Sequence, residues 1–369
     1  MVAQDIAAGL TLEDFQDVVI QEHLPPLWMA PLGGLREPQT HIRPYLWRWQ
    51  QVRQRMLQAG ELIPLGSSGA ERRVLLLANP GVPPDRPVAT THTLIAAVQL
   101  VHGTEMAPSH RHTMAALRFI KEGEGACTVV DGEPVSMEVG DLVLTPNWAW
   151  HGHYSEHAEP MLWMDGLDVP FVQALGATFQ EGFPSADRSQ PLSAARDESM
   201  RRYSGGGLLP LDERRGSANS PLLRYPWAPT EERLQALADR DGSPYDGVAL
   251  QYSNPFTGGP VMATLDCWIQ MLRPGEATRA HRHTASVVYN VARGSGWTVV
   301  NGQRFDWTAG DIFCLPTWAW HEHVNGSATE EAILFSMNDS PVLRPFDLYR
   351  EETYPDQDGH QPVSSVFSE

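Results

Sequence analysis

The sequence is short of cysteine and contains no long apolar segment. Its 369 residues include 3 cysteines, which are widely separated. From this number and spacing we predict neither a disulfide framework nor a cysteine-based zinc site, and we expect a reducing, cytoplasmic location. Because no run approaches 18 consecutive apolar residues, we expect no transmembrane helix. The opening residues, MVAQDIAAGLTLEDF, lack the basic region and the apolar run of a signal peptide.

Basic residues are also scarce. Lys and Arg total 27 against 45 Asp and Glu, which gives a formal net charge of −18. Nucleic acids and anionic membranes are bound through clustered Lys and Arg, so we expect neither as a partner. Glycine and proline, by contrast, are frequent, with 31 and 30 residues. That frequency is typical of a turn-rich β fold rather than a helical one.

The chain contains an internal repeat. The segment VQLVHGTEMAPSHRHTMAALRFIKEGEG, from Val98, matches IQMLRPGEATRAHRHTASVVYNVARGSG, from Ile269. The two segments are 171 residues apart, and the stretches that follow them match at a separation of 170, since one residue is inserted near Ala126. The matched pairs are His110 with His281, His112 with His283, Gly125 with Gly296, Gly132 with Gly302, Asp141 with Asp311, Pro146 with Pro316 and His151 with His321.

Each copy alternates short apolar runs with glycine-containing turns, as in TVVDG and VGDLVLTP. Short, closely spaced strands of this kind predict a β-barrel or sandwich rather than βαβ units. The expected fold class is therefore dominated by β structure, with two barrels in one chain, N-terminal helices and a connector. The predicted division is an N-terminal helical arm (1–70), a first barrel with the catalytic metal site (71–175), a connector (176–245), a second barrel (246–350) and a C-terminal tail (351–369).

Histidines are the strongest chemical signal. His110 and His112 flank Arg111 at the predicted start of a strand, where alternate residues point to one face. His151 and His153 share a face in the same way. Imidazoles from two strands can converge inside a barrel, and imidazole suits Fe, Zn, Cu and Ni. The repeated pattern therefore predicts a metal site in the first copy.

These motifs resemble the cupin signature, in which an HxH pair is followed by glycine, Gly-Asp, proline and a third histidine. His110, His112, Gly140-Asp141, Pro146 and His151 occupy those places. The glutamate ligand of the usual cupin, four residues after the second histidine, is replaced here by alanine and, in the second copy, by valine. A site of three neutral histidines is therefore expected. The replaced positions are Ala116 and Val287.

The whole chain resembles the gentisate 1,2-dioxygenase family of bicupins, which includes salicylate and 1-hydroxy-2-naphthoate dioxygenases. Besides the histidine motifs, the resemblance rests on GAERRVLLLANPG, WMDGLDVPF and YSNPFTGGPVMATLDC. It implies two double-stranded β-helix barrels and Fe(II) held by His110, His112 and His151. It also implies an aromatic hydroxy acid and O₂ as substrates, with gentisate opened to maleylpyruvate, in a homo-oligomer, typically a tetramer.

The resemblance also assigns roles around the metal. His151 is preferred as a ligand over His153, which then serves as an acid/base or substrate contact or orients a neighbouring group. Arg118 lies six residues after His112, which on a continuous strand is the same face. A buried arginine needs a partner, either the substrate carboxylate or an internal acid. Gln99 and Arg72 match substrate-pocket positions of the family.

The second copy retains its histidines but has Tyr289 where the first has Arg118. We therefore expect a second metal site that lacks the carboxylate clamp. Alternatives for the whole protein are a salicylate or 1-hydroxy-2-naphthoate dioxygenase, and a metal bicupin that is not a dioxygenase, such as a manganese oxalate decarboxylase or a zinc isomerase. A non-catalytic binding bicupin is a further alternative. The histidines of the second site are His281, His283 and His321.

Overall fold

A computed structural model describes residues 10–29, 36–65, 70–213 and 217–368. The first nine residues, on which the prediction of no signal peptide rests in part, lie outside this range. The described residues up to Gln39 belong to one compact unit, and those from Thr40 onward belong to a second. In the first unit, helix α1 (Leu12–Gln21) has Thr11 as its N-cap residue. The Thr11 hydroxyl accepts from the Asp14 backbone N–H at 3.1 Å, and the Asp14 carboxylate accepts from the Thr11 N–H, a capping box.

The first barrel consists of two facing sheets of short strands. Asp131 and Gly132 have φ values of 45° and 87° at the tight turn between two of these strands. An Asp-Gly pair with two positive φ values is what a two-residue hairpin requires. The sheet orders are β12-β8-β5-β10-β3-β2 and β11-β4-β9-β6-β7. The strands are β2 (Val74–Leu76), β3 (Ile95–Val101), β4 (Met106–His112), β5 (Ala116–Glu122), β6 (Ala126–Val130), β7 (Glu133–Met137), β8 (Leu142–Thr145), β9 (His151–Ser155), β10 (Met161–Leu167), β11 (Gln180–Gly182) and β12 (Arg224–Tyr225).

The second barrel repeats this arrangement. Asn301 and Gly302 form its equivalent hairpin turn, with φ values of 47° and 79°. The sheet orders are β1-β19-β16-β21-β14-β13 and β22-β15-β20-β17-β18-β23. The fold class predicted from the repeat is therefore confirmed. The strands are β1 (Tyr45–Trp47), β13 (Val248–Gln251), β14 (Asp266–Leu272), β15 (His281–His283), β16 (Val287–Arg293), β17 (Ser295–Val300), β18 (Gln303–Thr308), β19 (Ile312–Leu315), β20 (His321–Asn325), β21 (Ala332–Asn338), β22 (Glu351–Thr353) and β23 (Ser365–Val366).

Helices occupy the flanks of the barrels. The helix that follows β1 starts at Trp49, two residues after Trp47, which still belongs to β1 and pairs with Ile312. Among the described residues, no helix is both long and apolar enough to cross a bilayer. The remaining helices are α2 (Trp49–Leu62), α3 (Val169–Ala174), α4 (Glu198–Tyr203), α5 (Trp227–Gln235) and α6 (Ser340–Leu343), with 3₁₀ turns at Leu27–Met29, Arg344–Phe346 and Gln357–Gly359.

The two barrels exchange their outermost strands. Strand β1 precedes the first barrel in the chain but pairs with β19 of the second, and β12 precedes the second barrel but pairs with β8 of the first. The helix after each strand is anchored in the same way. The Trp49 backbone N–H donates to Asp311 at 2.8 Å, and the Trp227 backbone N–H donates to Asp141 at 2.9 Å. The repeat therefore extends into the flanking segments.

The barrels pack back to back. One apolar core joins them, and in it the Phe119 and Phe335 rings stack with centroids 4.3 Å apart. Each barrel also has an apolar core of its own. Side chains alternate along each strand, so those of β5 that do not face the shared core face the barrel interior. Arg118 is one of these interior side chains, because its neighbours Leu117 and Phe119 belong to the shared core.

Candidate metal centre

Three histidines converge inside the first barrel. Strands β4 and β9 are neighbours, and their register places His110 opposite His151. One ligand atom from each of His110, His112 and His151 lies within 4.8 Å of the others. His153 is not in this group, and its ring lies 6.4 Å from that of His151. The structure thus brings together the three histidines predicted as ligands and places the fourth beside them.

Hydrogen bonds fix the orientation of the three rings. The Nδ1 atoms of His112 and His151 lie 2.8 Å from the Met114 carbonyl and 3.0 Å from the Ala149 carbonyl. A carbonyl oxygen only accepts, so both Nδ1 atoms carry the proton and both Nε2 atoms keep a free lone pair. An Nδ1–H bonded in this way is the usual support of a metal-ligating histidine.

The third ring has an acidic partner. His110 Nδ1 lies 3.0 Å from a carboxylate oxygen of Glu71. A carboxylate acceptor fixes the tautomer and raises the basicity of the opposite nitrogen. Glu71 also lies 3.4 Å from the guanidinium of Arg188. Sequence reasoning missed Glu71, because it stands outside the strand motifs. Its position directly before Arg72 in the family segment was the only signal available.

Burial keeps these imidazoles neutral. It lowers the pKa of His110 to about 2, with Arg72 contributing in the same direction, and it lowers the pKa of His112 to about 4. Burial also holds the pKa of His151 and of His153 well below the usual range. All four rings are therefore uncharged at neutral pH, which is the form that ligates metals.

The donor set fits a divalent cation. The Nε2 atoms of His110 and His151 lie 3.0 Å apart. Since their Nδ1 atoms carry the protons, two lone pairs face each other, and a cation bound by both removes that repulsion. Three imidazoles suit first-row transition metals. The residues present therefore fit a metal ion with coordination positions left open.

The arginine within the HxH pair faces away from the cluster. The Arg111 guanidinium lies 4.4 Å from the ring centres of both Trp148 and Trp150. Such stacking holds this stretch of β4 in place.

One prediction about strand β4 was wrong, because the HxH pair lies at the end of β4 and not at its start. The predicted continuous strand from His112 to Arg118 is also wrong, since a turn separates β4 from β5.

Arg118 nevertheless faces the barrel interior. It is 3% exposed, and Nη1 donates to the Thr145 hydroxyl at 2.6 Å. Its Nε lies 3.5 Å from Asp165, which stands opposite it on β10, and makes no hydrogen bond. Burial raises the pKa of Asp165 to about 6, against the opposing effect of Arg118. The arginine thus has an internal acidic partner and also a donor still available.

The two other predicted pocket residues differ in their surroundings. Gln99 lies on β3 opposite Trp163, and its Nε2 is buried without a partner. Arg72 is tied to the backbone, with Nη2 donating to the Pro108 carbonyl at 2.5 Å and Nη1 to the Glu71 carbonyl at 3.1 Å. Burial lowers the pKa of Arg72 to about 10. Gln99 therefore has an unused donor, whereas Arg72 is held in place by carbonyls.

His153 is fixed from one side. Its Nδ1 lies 3.0 Å from the Thr128 hydroxyl, and its ring packs 5.1 Å from that of Trp163. This leaves Nε2 as the atom that can meet a ligand beside the metal cluster.

A second histidine cluster occupies the second barrel. Ligand atoms of His281, His283 and His321 also lie within 4.8 Å of one another. Burial lowers the pKa of His281 to about 3 and holds that of His321 well below its usual range. Both clusters predicted from the repeat are therefore assembled by the fold.

Comparison with known proteins agrees with this geometry. The Cupin domain family model matches residues 97–169 and 268–338. A 5-aminosalicylate 1,2-dioxygenase from Comamonas sp is 41% identical over 96% of this chain and 94% of the relative. The chain belongs to the gentisate 1,2-dioxygenase family. It is accordingly a ring-cleaving oxidoreductase of the 1,2-dioxygenase type.

Other family members support the assignment. A 1-hydroxy-2-naphthoate 1,2-dioxygenase from Nocardioides sp. is 40% identical over 95% of this chain and 90% of the relative. A gentisate 1,2-dioxygenase from Aquipseudomonas alcaligenes is 36% identical over 92% and 95%. The crystal structure of salicylate 1,2-dioxygenase from Pseudaminobacter salicylatoxidans superimposes with a TM-score of 0.83, at 34% identity, over 92% of this chain and 97% of that chain.

Proposed function

We propose that the protein is an Fe(II)-dependent dioxygenase that opens gentisate between its carboxyl-bearing and hydroxyl-bearing carbons, with O₂, to give maleylpyruvate. The observation that carries the proposal is the convergence of three neutral histidines beside a buried arginine within one barrel. Both atoms of O₂ enter the product, so the reaction needs no external reductant. This agrees with the sequence, which has no nucleotide-binding glycine motif.

His110, His112 and His151 would hold the iron. When bound there, iron would supply the redox chemistry that couples an aromatic chelate to O₂. The protein's own side chains cannot supply it. The three neutral ligands leave the +2 charge of the ion uncompensated. A site of this charge favours an anionic substrate that carries a carboxylate next to a hydroxyl group.

Arg118 binds the substrate carboxylate in this proposal. Thr145 and Asp165 orient its guanidinium before the substrate arrives. Only Nη1 makes a hydrogen bond to a described residue, so further N–H groups are left for the carboxylate. Charge-assisted hydrogen bonds from arginine to a carboxylate fix both position and plane. Gln99 offers a second donor from β3, and Arg72 adds positive charge from the neighbouring segment without moving.

His153 contacts the phenolic hydroxyl of the substrate in this proposal. The Thr128 hydroxyl holds Nδ1, so Nε2 faces the interior and exchanges a hydrogen bond with the substrate hydroxyl. The low pKa of this ring, caused by burial, means that it does not store a proton at neutral pH. It passes the proton on or orients the hydroxyl group.

A second candidate substrate is 5-aminosalicylate. The relative named for that substrate is 41% identical over nearly the whole chain. Gentisate and 5-aminosalicylate both place an electron-donating group para to the hydroxyl next to the carboxylate. The metal cluster together with Arg118 suits that shared carboxylate and hydroxyl pair in either compound.

O₂ uptake by protein reconstituted anaerobically with Fe(II) tests the proposal. One O₂ consumed per gentisate, together with absorbance of a ring-opened product, is the expected result. The same assay with 5-aminosalicylate, salicylate and 1-hydroxy-2-naphthoate ranks the alternatives. Absence of turnover with all four compounds, in protein shown to contain iron, would overturn the dioxygenase proposal in favour of another metal bicupin.

A further inference from the structure

Two of the three histidines of the second cluster are oriented like their counterparts in the first, whereas the Nδ1 of His281 is buried without the carboxylate partner that His110 has. His283 Nδ1 lies 2.8 Å from the Ala285 carbonyl, and His321 Nδ1 lies 2.9 Å from the Ala319 carbonyl. These bonds place the proton on Nδ1 and leave the Nε2 lone pair free. The ring centres of His281 and His321 are only 4.3 Å apart.

One of these nitrogens is an unsatisfied buried acceptor. The Nε2 of His321 is buried and has no hydrogen-bond partner, and His321 is 1% exposed. Leaving a buried acceptor unsatisfied costs about 1–3 kcal/mol. A metal ion shared with His281 and His283 supplies the missing partner of this nitrogen.

The surroundings of this cluster differ from those of the first. By strand register, Tyr289 stands opposite Ser336, where the first barrel has the Arg118 and Asp165 pair. A cation to bind a carboxylate is therefore missing from this position. Arg344, whose charge acts on His283, stacks instead on the Tyr349 ring, with its guanidinium carbon 3.9 Å from the ring centre.

The space beside the cluster is small and carries an acid. A cavity of about 20 Å³ reaches His283 and is lined by Asp246, Tyr289, Ser336 and Tyr349, among other residues. A volume of this size holds one water molecule, whereas small-molecule sites have volumes of roughly 300–1,000 Å³. Tyr349 also lies nearly parallel to His283, with ring centres 6.2 Å apart.

We propose that His281, His283 and His321 bind a second divalent first-row transition-metal ion whose remaining positions accept only water-sized ligands. The protein then holds two metal ions per chain, and only the first meets the aromatic acid. The inference concerns the second barrel alone and does not depend on which substrate the first barrel cleaves.

Cobalt(II) is the probe, because its visible absorption reports both occupancy and changes in ligation. Apo-protein, His112→Ala, His283→Ala and the double variant are titrated with cobalt(II) and analysed for bound metal. We expect about two ions per chain in the parent protein, about one in each single variant and none in the double variant. Thermal unfolding of each apo-variant identifies any that fails to fold, and His321→Gln then replaces His283→Ala.

Addition of gentisate to the cobalt-loaded variants tests ligand access. The spectrum of His112→Ala, which retains only the second site, should stay unchanged. Only one ion in the parent protein, or none in folded His112→Ala, would show that the second site does not bind metal. A gentisate-induced change in His112→Ala would overturn the size restriction. A parent protein that loads two cobalt ions but, when reconstituted with Fe(II), turns over none of the four aromatic acids refutes the proposed function and leaves this inference intact.

Discussion

Replacing Arg118 with methionine separates its two roles in the first barrel. The substitution retains an unbranched apolar chain but removes the charge and the donors. If the guanidinium binds the substrate carboxylate through two parallel charge-assisted bonds, about 3–4 kcal/mol of binding is lost in the transition state. At ~1.4 kcal/mol per factor of ten, kcat/KM should fall roughly 10²–10³-fold, with the metal content unchanged.

The same change exposes the structural role of the pair. Asp165, 5% exposed, loses the guanidinium that lies 3.5 Å away. Removing one partner of a buried ion pair costs about 3–5 kcal/mol. The pKa of Asp165, already raised to about 6 by burial, rises further once Arg118 is gone, so the carboxyl group becomes protonated at neutral pH. We expect the free energy of unfolding to decrease by roughly 3 kcal/mol, at the lower end of that range.

The double variant Arg118→Met/Asp165→Asn is the matched control. Asparagine keeps the Oδ1 acceptor that Trp163 Nε1 uses at 3.0 Å but carries no charge. Stability should recover in the double variant, whereas kcat/KM should not. Steady-state O₂ consumption, iron content and denaturant unfolding measure the three quantities. A loss of kcat/KM below tenfold in Arg118→Met, or recovery of turnover in the double variant, would refute the carboxylate clamp.

Three further substitutions test separate features. Glu71→Gln removes the charge 3.0 Å from His110 Nδ1 and should weaken metal binding about 10–100-fold, measured by chelator competition. Burial lowers the pKa of Lys121 to about 7 from 10.5, so the folded state binds fewer protons than the unfolded state between these values. The free energy of unfolding should therefore rise with pH in that window, by at most ~1.4 kcal/mol per unit, and Lys121→Met should remove the slope. Gly310→Ala should destabilise the protein by about 1–3 kcal/mol in denaturant unfolding, since φ is 92° and the new Cβ would lie 2.5 Å from the indole of α2.

Each of these tests has a control. Glu71→Asp retains the charge and should keep more of the metal affinity than Glu71→Gln does. An unfolding free energy of the parent protein that is flat between pH 7 and 10 would contradict the Lys121 prediction. Gly275 has a φ of 69° and no atom within 4 Å of a new Cβ, so Gly275→Ala measures the cost of positive φ alone. Equal losses at the two glycines would show that packing against the indole contributes nothing.

Much of the barrel architecture was predictable because short-range sequence signals determine it. The Asp-Gly and Asn-Gly pairs determine the hairpin turns by their positive φ values, and the HxH spacing places both imidazoles on one face. The resemblance to a family added the choice of His151 over His153, which the cluster geometry matches. Repetition in the sequence strengthened each of these predictions, since the same pattern occurred twice.

Other features depend on contacts between distant segments. Glu71 reaches His110 from outside the strand motifs, and Asp165 meets Arg118 only through the register of β5 and β10. No local pattern encodes either pairing. The break in the strand after His112 escaped prediction for a local reason, because the turn Thr113-Met114-Ala115 contains no glycine or proline to mark it.

The exchanged strands β1 and β12 make each barrel incomplete without the other. Two identical chains that trade an equivalent strand and helix form a domain-swapped dimer. In this protein both partners are covalently joined, so the swap has become permanent and independent of concentration. Either half expressed alone would expose an unpaired sheet edge, a surface prone to aggregation. We therefore expect the two halves to unfold as one cooperative unit, although the residues around their histidine clusters differ.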